Sequence, residues 1–203
     1  ISKQSDEKII NKIGDTIKSN LANKIIFSKN FNFTINDDGF LYKDRYGSLQ
    51  LPRPNLLGMH QISNAASAVA AIRNLKKYKI KDEHIVEGIK SIKNMRGRLQ
   101  LIDAGPLKKI APANIILCDV AHNPNAAYEI NNYLNTLDKN KKIYMICGMM
   151  KNKIHDEFIS NFKKINEIFA IDIPNNKNCI KKEVLQKIIE KVGIKSSTSN
   201  SIE

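Results

Sequence analysis

The sequence predicts an α/β protein in two parts, the second built on a mostly parallel sheet covered by helices. Three observations predict it. From about Asn94 onward, short apolar segments alternate with helix-like ones through short polar loops. The segments "NIILCDV", "KIYMICGM" and "EIFAIDI" are nearly continuous in apolar residues, as strands covered on both faces are. Before Asn94 the rhythm differs: a helical pattern comes first, then strand-like runs and a turn, then two more helical patterns.

The elements follow in order. Ile9, Ile10, Ile13, Ile17 and Leu21 recur at helical spacing. "KIIFSK" and "FNFTI" read as short strands, and "NDDGF" as a turn that returns the chain into "FLYKD". "LPRPN" is a rigid extended connector. A long helix is expected from about Ser63 through "SNAASAVAAIRNLKKY", its alanines favouring helix and close packing. "KDEHIVEGIKSI" is a second helix, with Asp82 and Glu83 where the helix dipole favours acids. "KNMRGR" breaks the pattern at Gly97, which places a boundary near Asn94 and divides the chain into 1–94 and 95–203.

In the second part "RLQLIDA" and "NIILCDV" read as strands and "NAAYEINNYLNTL" as a helix. "KIYMICGM" and "EIFAIDI" are strands, "KIHDEFISNFKKI" and "KKEVLQKIIEKVG" helices. Right-handed crossovers would join such strands in parallel. Ser201 reads as the start of another capped helix, so a last βα unit is expected to be missing. A start at Ile1 rather than Met is expected to be a cut.

Composition narrows the class. Hydrophobic residues make up 42% of 203, enough for a core and against disorder. No apolar run approaches a membrane span, and no signal-peptide pattern heads the chain. The net charge of +13 invites a nucleic-acid-binding reading. However, 28 of the 33 basic residues are Lys, and Ile (32) and Asn (24) are also abundant, as AT-rich codons would produce. The lysines are spread along the chain, and the six Tyr and seven Phe do not interleave with them, so stacking platforms are not expected. Cys118, Cys147 and Cys179 form no C-x-x-C pair, so neither a metal site nor a disulfide framework is expected. Cys118 and Cys147 fall in apolar runs and are expected to be buried free thiols, in a reducing, cytoplasmic setting.

The densest chemistry is "ILCDVAHNPNAA". Asp119 falls at the carboxyl end of a strand expected to be parallel, the edge where open α/β sheets bind ligands. Asn123 and Pro124 suit the cap and first turn of the next helix, which leaves Asp119 for hydroxyl groups such as those of a ribose. His122 lies beside it. The loop "GMMKNK" follows the next strand and offers Lys151 or Lys153 to an anion. "GMHQISNAA" places Asn64 at a helix entrance, either as a cap or with its amide facing an adenine. "RGRLQ" places Arg98 after Gly97; its guanidinium suits phosphate, or else a surface ion pair. No P-loop, G-x-G-x-x-G or G-x-S-x-G pattern occurs. The residues alone give a nucleotide-binding α/β domain attached to part of another.

In series, "LLGMHQISNAASAVAAI", "RGRLQ", "DVAHNPNAA" and "GMMKNK" resemble the folylpolyglutamate synthase and dihydrofolate synthase family of the Mur ligase superfamily. The chain departs from it at Arg96, where Pro is frequent, and at Lys151-Asn152-Lys153-Ile154, where Lys-Asp-Lys-Asp is frequent. The resemblance implies the C-terminal part of a Mur-ligase-type ATPase domain (1–94) followed by a Rossmann-like domain (95–203). It implies ATP-dependent addition of L-glutamate to dihydropteroate or folates through an acyl phosphate, in folate biosynthesis. Asn64 would contact adenine, Arg98 the phosphates and Asp119 the ribose, with His122 beside the ribose and Lys153 near the anion. The P-loop, the Mg2+ ligands, a carbamylated lysine and the catalytic groups are expected before Ile1, so the chain alone is expected to be inactive. The expected partners are ATP, L-glutamate and dihydropteroate or folate, with no nucleic acid and no membrane, and a monomer is expected. Rival readings are a cell-wall Mur ligase and a nucleotide-binding remnant; His60-Gln61 before Asn64 favours the folate branch.

Overall fold

The computed structural model describes residues 2, 7–19, 24–75 and 77–200. Leu21 and Ser201, each given a helical role from the sequence, lie outside the described residues. The chain divides into two compact units, Ile1–Met95 and Arg96–Glu203.

In the first unit, helix α1 (Glu7–Ser19) precedes a three-stranded antiparallel meander of β1 (Phe31–Asn36), β2 (Gly39–Asp44) and β3 (Gly47–Leu51). The expected turn at "NDDGF" forms, pairing Asn36 with Gly39. Gly39 has φ +138°, and a Cβ there would run into the Leu51 carbonyl, so only glycine fits. "KIIFSK" is not a strand. Ser28 has φ +68°, and the Asn30 side chain accepts the Ile26 N–H at 2.8 Å, so the chain turns and leaves one bridge from Phe27 to Phe31.

Helix α2 (His60–Arg73) starts before Ser63 and stops short of Tyr78. Asn74 ends it: the backbone leaves the helical region (φ −96°, ψ 0°) and its amide donates to the Ala70 carbonyl at 2.8 Å. Asn64 therefore lies inside α2 and does not cap it. Ala65, Ala66, Val69 and Ala70 are buried with Phe40, Tyr42 and Leu51 of the meander. Ile85 and Ile89 of helix α3 (Asp82–Ser91) complete that core.

Arg73 pins these pieces together. It donates to Asp44 Oδ1 at 2.9 Å and to both oxygens of Asp82 at 2.8 Å. Its side chain is 8% exposed and that of Asp44 3%. The Tyr42 hydroxyl donates to the other Asp44 oxygen at 3.0 Å, and burial, then the nearby Asp44 charge, pushes this phenol up from its ordinary value. A charge this deep is stable only when paired and hydrogen-bonded.

The second unit is α/β, as expected. Strand β4 (Gln100–Ile102) leads through the short helix α4 (Pro106–Ile110) to β5 (Ile116–Cys118). Helix α5 (Pro124–Thr136) leads to β6 (Tyr144–Cys147), and α6 (His155–Ser160) to β7 (Glu167–Ala170). Helix α7 (Lys182–Lys191) leads to β8 (Ser196–Thr198). Strands β6, β7 and β8 pair in parallel in that order. "RLQLIDA" gives only the three-residue β4, and it pairs antiparallel with β5 in a two-stranded ribbon, so the strand that ends at Asp119 is not the parallel strand expected.

Burial follows ladder position. Ile168 and Ala170 of the central strand β7 are fully buried. Strand β6 has one ladder partner, and its Tyr144 and Ile146 are 56% and 51% exposed. The expectation of cover on both faces thus holds for β7 and not for β6. Cys118 is exposed rather than buried, because the β4–β5 ribbon leaves that side chain uncovered. Cys147 is buried as expected, and burial pushes its thiol up to about 12. Among the described residues no helix is long and apolar enough to cross a membrane.

Candidate functional site

Asp119 is the first residue past β5, and the antiparallel register pairs Cys118 with Gln100. The turn before β4 therefore arrives at the carboxyl end of β5, which brings "RGRLQ" and "DVAHNP" together. Two bonds join them and a third anchors the acid within its own turn. Asp119 Oδ2 accepts the Leu99 N–H at 2.7 Å, Oδ1 accepts the Ala121 N–H at 2.7 Å, and the Val120 N–H reaches the Gly97 carbonyl at 3.1 Å. The Gln100 side chain closes the turn by accepting the Gly97 N–H at 3.2 Å.

Two backbone conformations in this turn are left-handed. Gly97 has φ +67°, and a Cβ there would lie 2.6 Å from Val120 Cγ1. Leu99 has φ +46° and is 3% exposed, an uncommon conformation for a bulky residue. Between them, Arg98 is exposed. It makes no hydrogen bond or ion pair among the described residues, so the alternative role as a surface ion pair is not realised.

Asp119 is half-buried and already engaged by two backbone amides, so the sequence reading that left it free needs correction. Each carboxylate oxygen retains a lone pair for a further donor. Asn123 caps α5 as expected, accepting the Ala126 N–H at 2.9 Å with Pro124 in the first turn. His122 is exposed, and its Nδ1 lies 3.0 Å from the Val120 carbonyl. A carbonyl only accepts, so this contact requires a proton on Nδ1.

Lys151 and Lys153 lie in the loop after β6. That loop is stitched to 178–180: Lys151 N–H donates to the Asn178 carbonyl and Ile180 N–H to the Met149 carbonyl, both at 2.9 Å. The Lys151 ammonium reaches the Lys177 carbonyl at 3.2 Å. Lys153 is half-buried, and its ammonium makes no bond among the described residues; none joins it to the Asp119 cluster. In the first unit, Asn64 is exposed on α2. Its Nδ2 donates to Gln61 Oε1 at 3.1 Å, which leaves its Oδ1 open.

The structure thus brings Arg98, Asp119 and His122 together at the end of β5. Leu99, Val120 and Gln100 hold that arrangement and were not identified from the sequence. Gly97 was the one signal there, since nothing in the sequence marks a leucine as left-handed. Among the described residues no group of three His, Cys, Asp or Glu side chains could hold a metal ion.

The second unit is thus an α/β domain with an acid and an arginine-bearing turn laced together at one strand end. The model of the Mur ligase, glutamate ligase domain family matches residues 97–202, and the chain belongs to that family. Dihydrofolate synthase/folylpolyglutamate synthase of Escherichia coli is 30% identical over 124 residues, 61% of this chain and 26% of that protein. UDP-N-acetylmuramate–L-alanine ligase of Clostridium acetobutylicum is 27% identical over 217 residues, 98% of this chain and 44% of that protein. The chain therefore spans less than half the length of either. Escherichia coli FolC, solved in complex with DHPP and ADP, superposes with a TM-score of 0.75 at 23% identity, over 94% of this chain and 42% of that one. At that identity the likeness is one of fold.

Proposed function

We propose that this chain is part of an ATP-dependent ligase that adds L-glutamate to dihydropteroate, to folates or to both, with residues 1–94 belonging to its ATPase domain and 95–203 forming its C-terminal domain. The observation that carries the reading is the unpaired, exposed Arg98 held next to Asp119 at the end of β5. An arginine with no protein partner, on a turn fixed by backbone bonds, is available to a phosphate. The folate-ligase relative supports the substrate class, and the ADP complex of the FolC neighbour supports the nucleotide.

The reaction runs in two displacements. A substrate carboxylate oxygen attacks the γ-phosphorus of ATP, the bond to the β–γ bridging oxygen breaks, and ADP leaves. The glutamate amine then attacks the acyl carbon, the bond to the phosphate oxygen breaks, the nitrogen loses a proton, and an amide and inorganic phosphate result. This chain's part is to hold nucleotide and charge in place. Arg98 meets the phosphates, Asp119 accepts ribose hydroxyls on its remaining lone pairs, and His122 Nε2 faces the same sugar. Asn64 offers its open Oδ1 to an adenine amino group. Among the described residues, Lys153, rather than the tethered Lys151, is the cation of its loop without a bonded partner. Mg2+ is the expected metal of this reaction; the described residues do not fit it, and no step here runs through it. A monomer in the cytoplasm is the expected setting.

A second reading, a cell-wall ligase acting on a UDP-linked sugar acid, is favoured by the longer match to the UDP-N-acetylmuramate ligase. A substrate panel on the full-length protein decides between them. ATP-dependent ligation of L-glutamate to dihydropteroate or a folate is expected. Turnover of UDP-N-acetylmuramate with L-alanine instead would overturn the folate assignment.

A further inference from the structure

We propose that Asp119 is a positioning residue for Arg98, acting through the backbone of Leu99; this rests on the reading of Arg98 as a phosphate contact. A buried leucine at φ +46° is disfavoured in isolation, and something must hold it there. Among the described residues, the 2.7 Å bond from its N–H to Asp119 Oδ2 is the one charge-assisted contact on that peptide. The peptide it holds is the one that follows Arg98, so the bond sets where the arginine's Cα and side chain leave the turn. The Ala121 N–H on Oδ1 anchors the carboxylate on its own side, and Gly97 against Val120 fixes the other end of the turn. The carboxylate is thus a strut between β5 and the arginine-bearing turn, in addition to any contact it makes with a sugar.

Charge alone predicts the opposite of positioning. Removing a negative carboxylate beside an anion site tightens anion binding by Coulomb's law. Removing a strut that holds Arg98 weakens it. In Asp119→Asn the amide oxygen keeps the local bond to Ala121, and the NH2 group is left facing the Leu99 N–H, two donors opposed.

The test uses the 203-residue chain, followed by NMR with two probes: pyrophosphate, which has phosphates and no sugar, and adenosine, which has a sugar and no phosphate. In Asp119→Asn we expect the Leu99 amide to lose exchange protection and its carbon shifts to leave the positive-φ range. Pyrophosphate affinity should fall about tenfold, matching Arg98→Ala, in line with release of a strained residue. In a Leu99→Gly background, where positive φ costs little, Asp119→Asn should weaken pyrophosphate by less than about twofold, the residual expected once the strain is gone. Leu99→Asn serves if the glycine variant does not fold.

An Asp119→Asn chain that keeps its pyrophosphate affinity while adenosine weakens would overturn the positioning role and leave the nucleotide reading standing. Equal losses in both Leu99 backgrounds would also overturn it. If the parent chain does not bind pyrophosphate, or Arg98→Ala leaves that binding unchanged, it is the phosphate role of Arg98 that falls, and the inference falls with it.

Discussion

Arg73 and Arg98 are the same side chain in opposite circumstances, and so are Asp44 and Asp119. In the first unit, Arg73 spends its donors on Asp44, Asp82 and the Gly47 carbonyl, and that charge is consumed in holding α2, α3 and β2 together. In the second unit, Arg98 and Asp119 lie on joined turns and yet do not pair. Asp119 gives its oxygens to backbone amides, and Arg98 is left in solvent. A guanidinium beside a carboxylate would ordinarily close an ion pair; here the carboxylate's bonds to the backbone hold the turn while the arginine stays free. The contrast separates a charge that builds the fold from one that the proposed function assigns to a ligand.

The sharpest way to break this comparison is to delete each arginine. Arg73→Ala strands the buried Asp44 and should cost about 3–5 kcal/mol. Arg98→Ala, on an exposed side chain without partners, should change stability by about 0.5 kcal/mol or less. Urea unfolding followed by circular dichroism measures both, and similar costs would mean that Arg98 is structural after all.

Glycine substitutions sharpen the same point at a smaller scale. Gly97→Ala meets Val120 and keeps a positive φ, so it should destabilise by about 1–3 kcal/mol. Gly88→Ala in α3 meets nothing within 4 Å and should stabilise by about 0.5–1 kcal/mol, since alanine is the better helix former. Opposite signs in thermal unfolding are the expected outcome; equal destabilisation would place the cost in the chain at large rather than in the turn.

The smallest effect concerns Glu167, which is buried where β7 begins and accepts from Lys195 at 2.8 Å and from the Ser197 hydroxyl at 2.7 Å. The Lys195 bond first, then the Ser197 bond, holds its carboxyl below the usual range. The folded value is depressed, so this contribution is present above the unfolded carboxyl value of about 4.3 and is lost as pH falls through the folded value. The parent chain should be more stable than Glu167→Gln at neutral pH, with the gap closing below about pH 4. A gap that stays constant down to pH 2 would show that the Lys195 pair contributes nothing through charge.

How much of this was legible in the sequence varies by element. The α5 cap was readable from Asn123-Pro124, because capping chemistry is local and the residues that do it are adjacent in the chain. The hairpin at Asn36–Gly39 and the helix α3 were readable for the same reason. The end of α2 was not, because the alanine run has high propensity throughout and it is the conformation of Asn74 that stops it. Strand β8 gave little periodic signal, being three residues long, whereas β4 was readable from "RLQLIDA" but forms over only three residues.

The sequence by itself determined the α/β character of the second unit and the nature of its chemical groups: an acid at a strand end, an arginine after a glycine, an amide early in an alanine-rich helix. Those follow from periodicity and from side-chain chemistry, which the chain carries wherever it folds. Only the tertiary structure decided their state. It is the antiparallel register of β4 on β5 that brings Gly97–Leu99 to Asp119, residues twenty positions apart at the Leu99 bond. That contact decides that Asp119 is engaged, that Leu99 is left-handed, and that Arg98 is free. Such pairings depend on which strand lies beside which, and a hydrogen bond between distant residues leaves no periodic trace in the sequence that makes it.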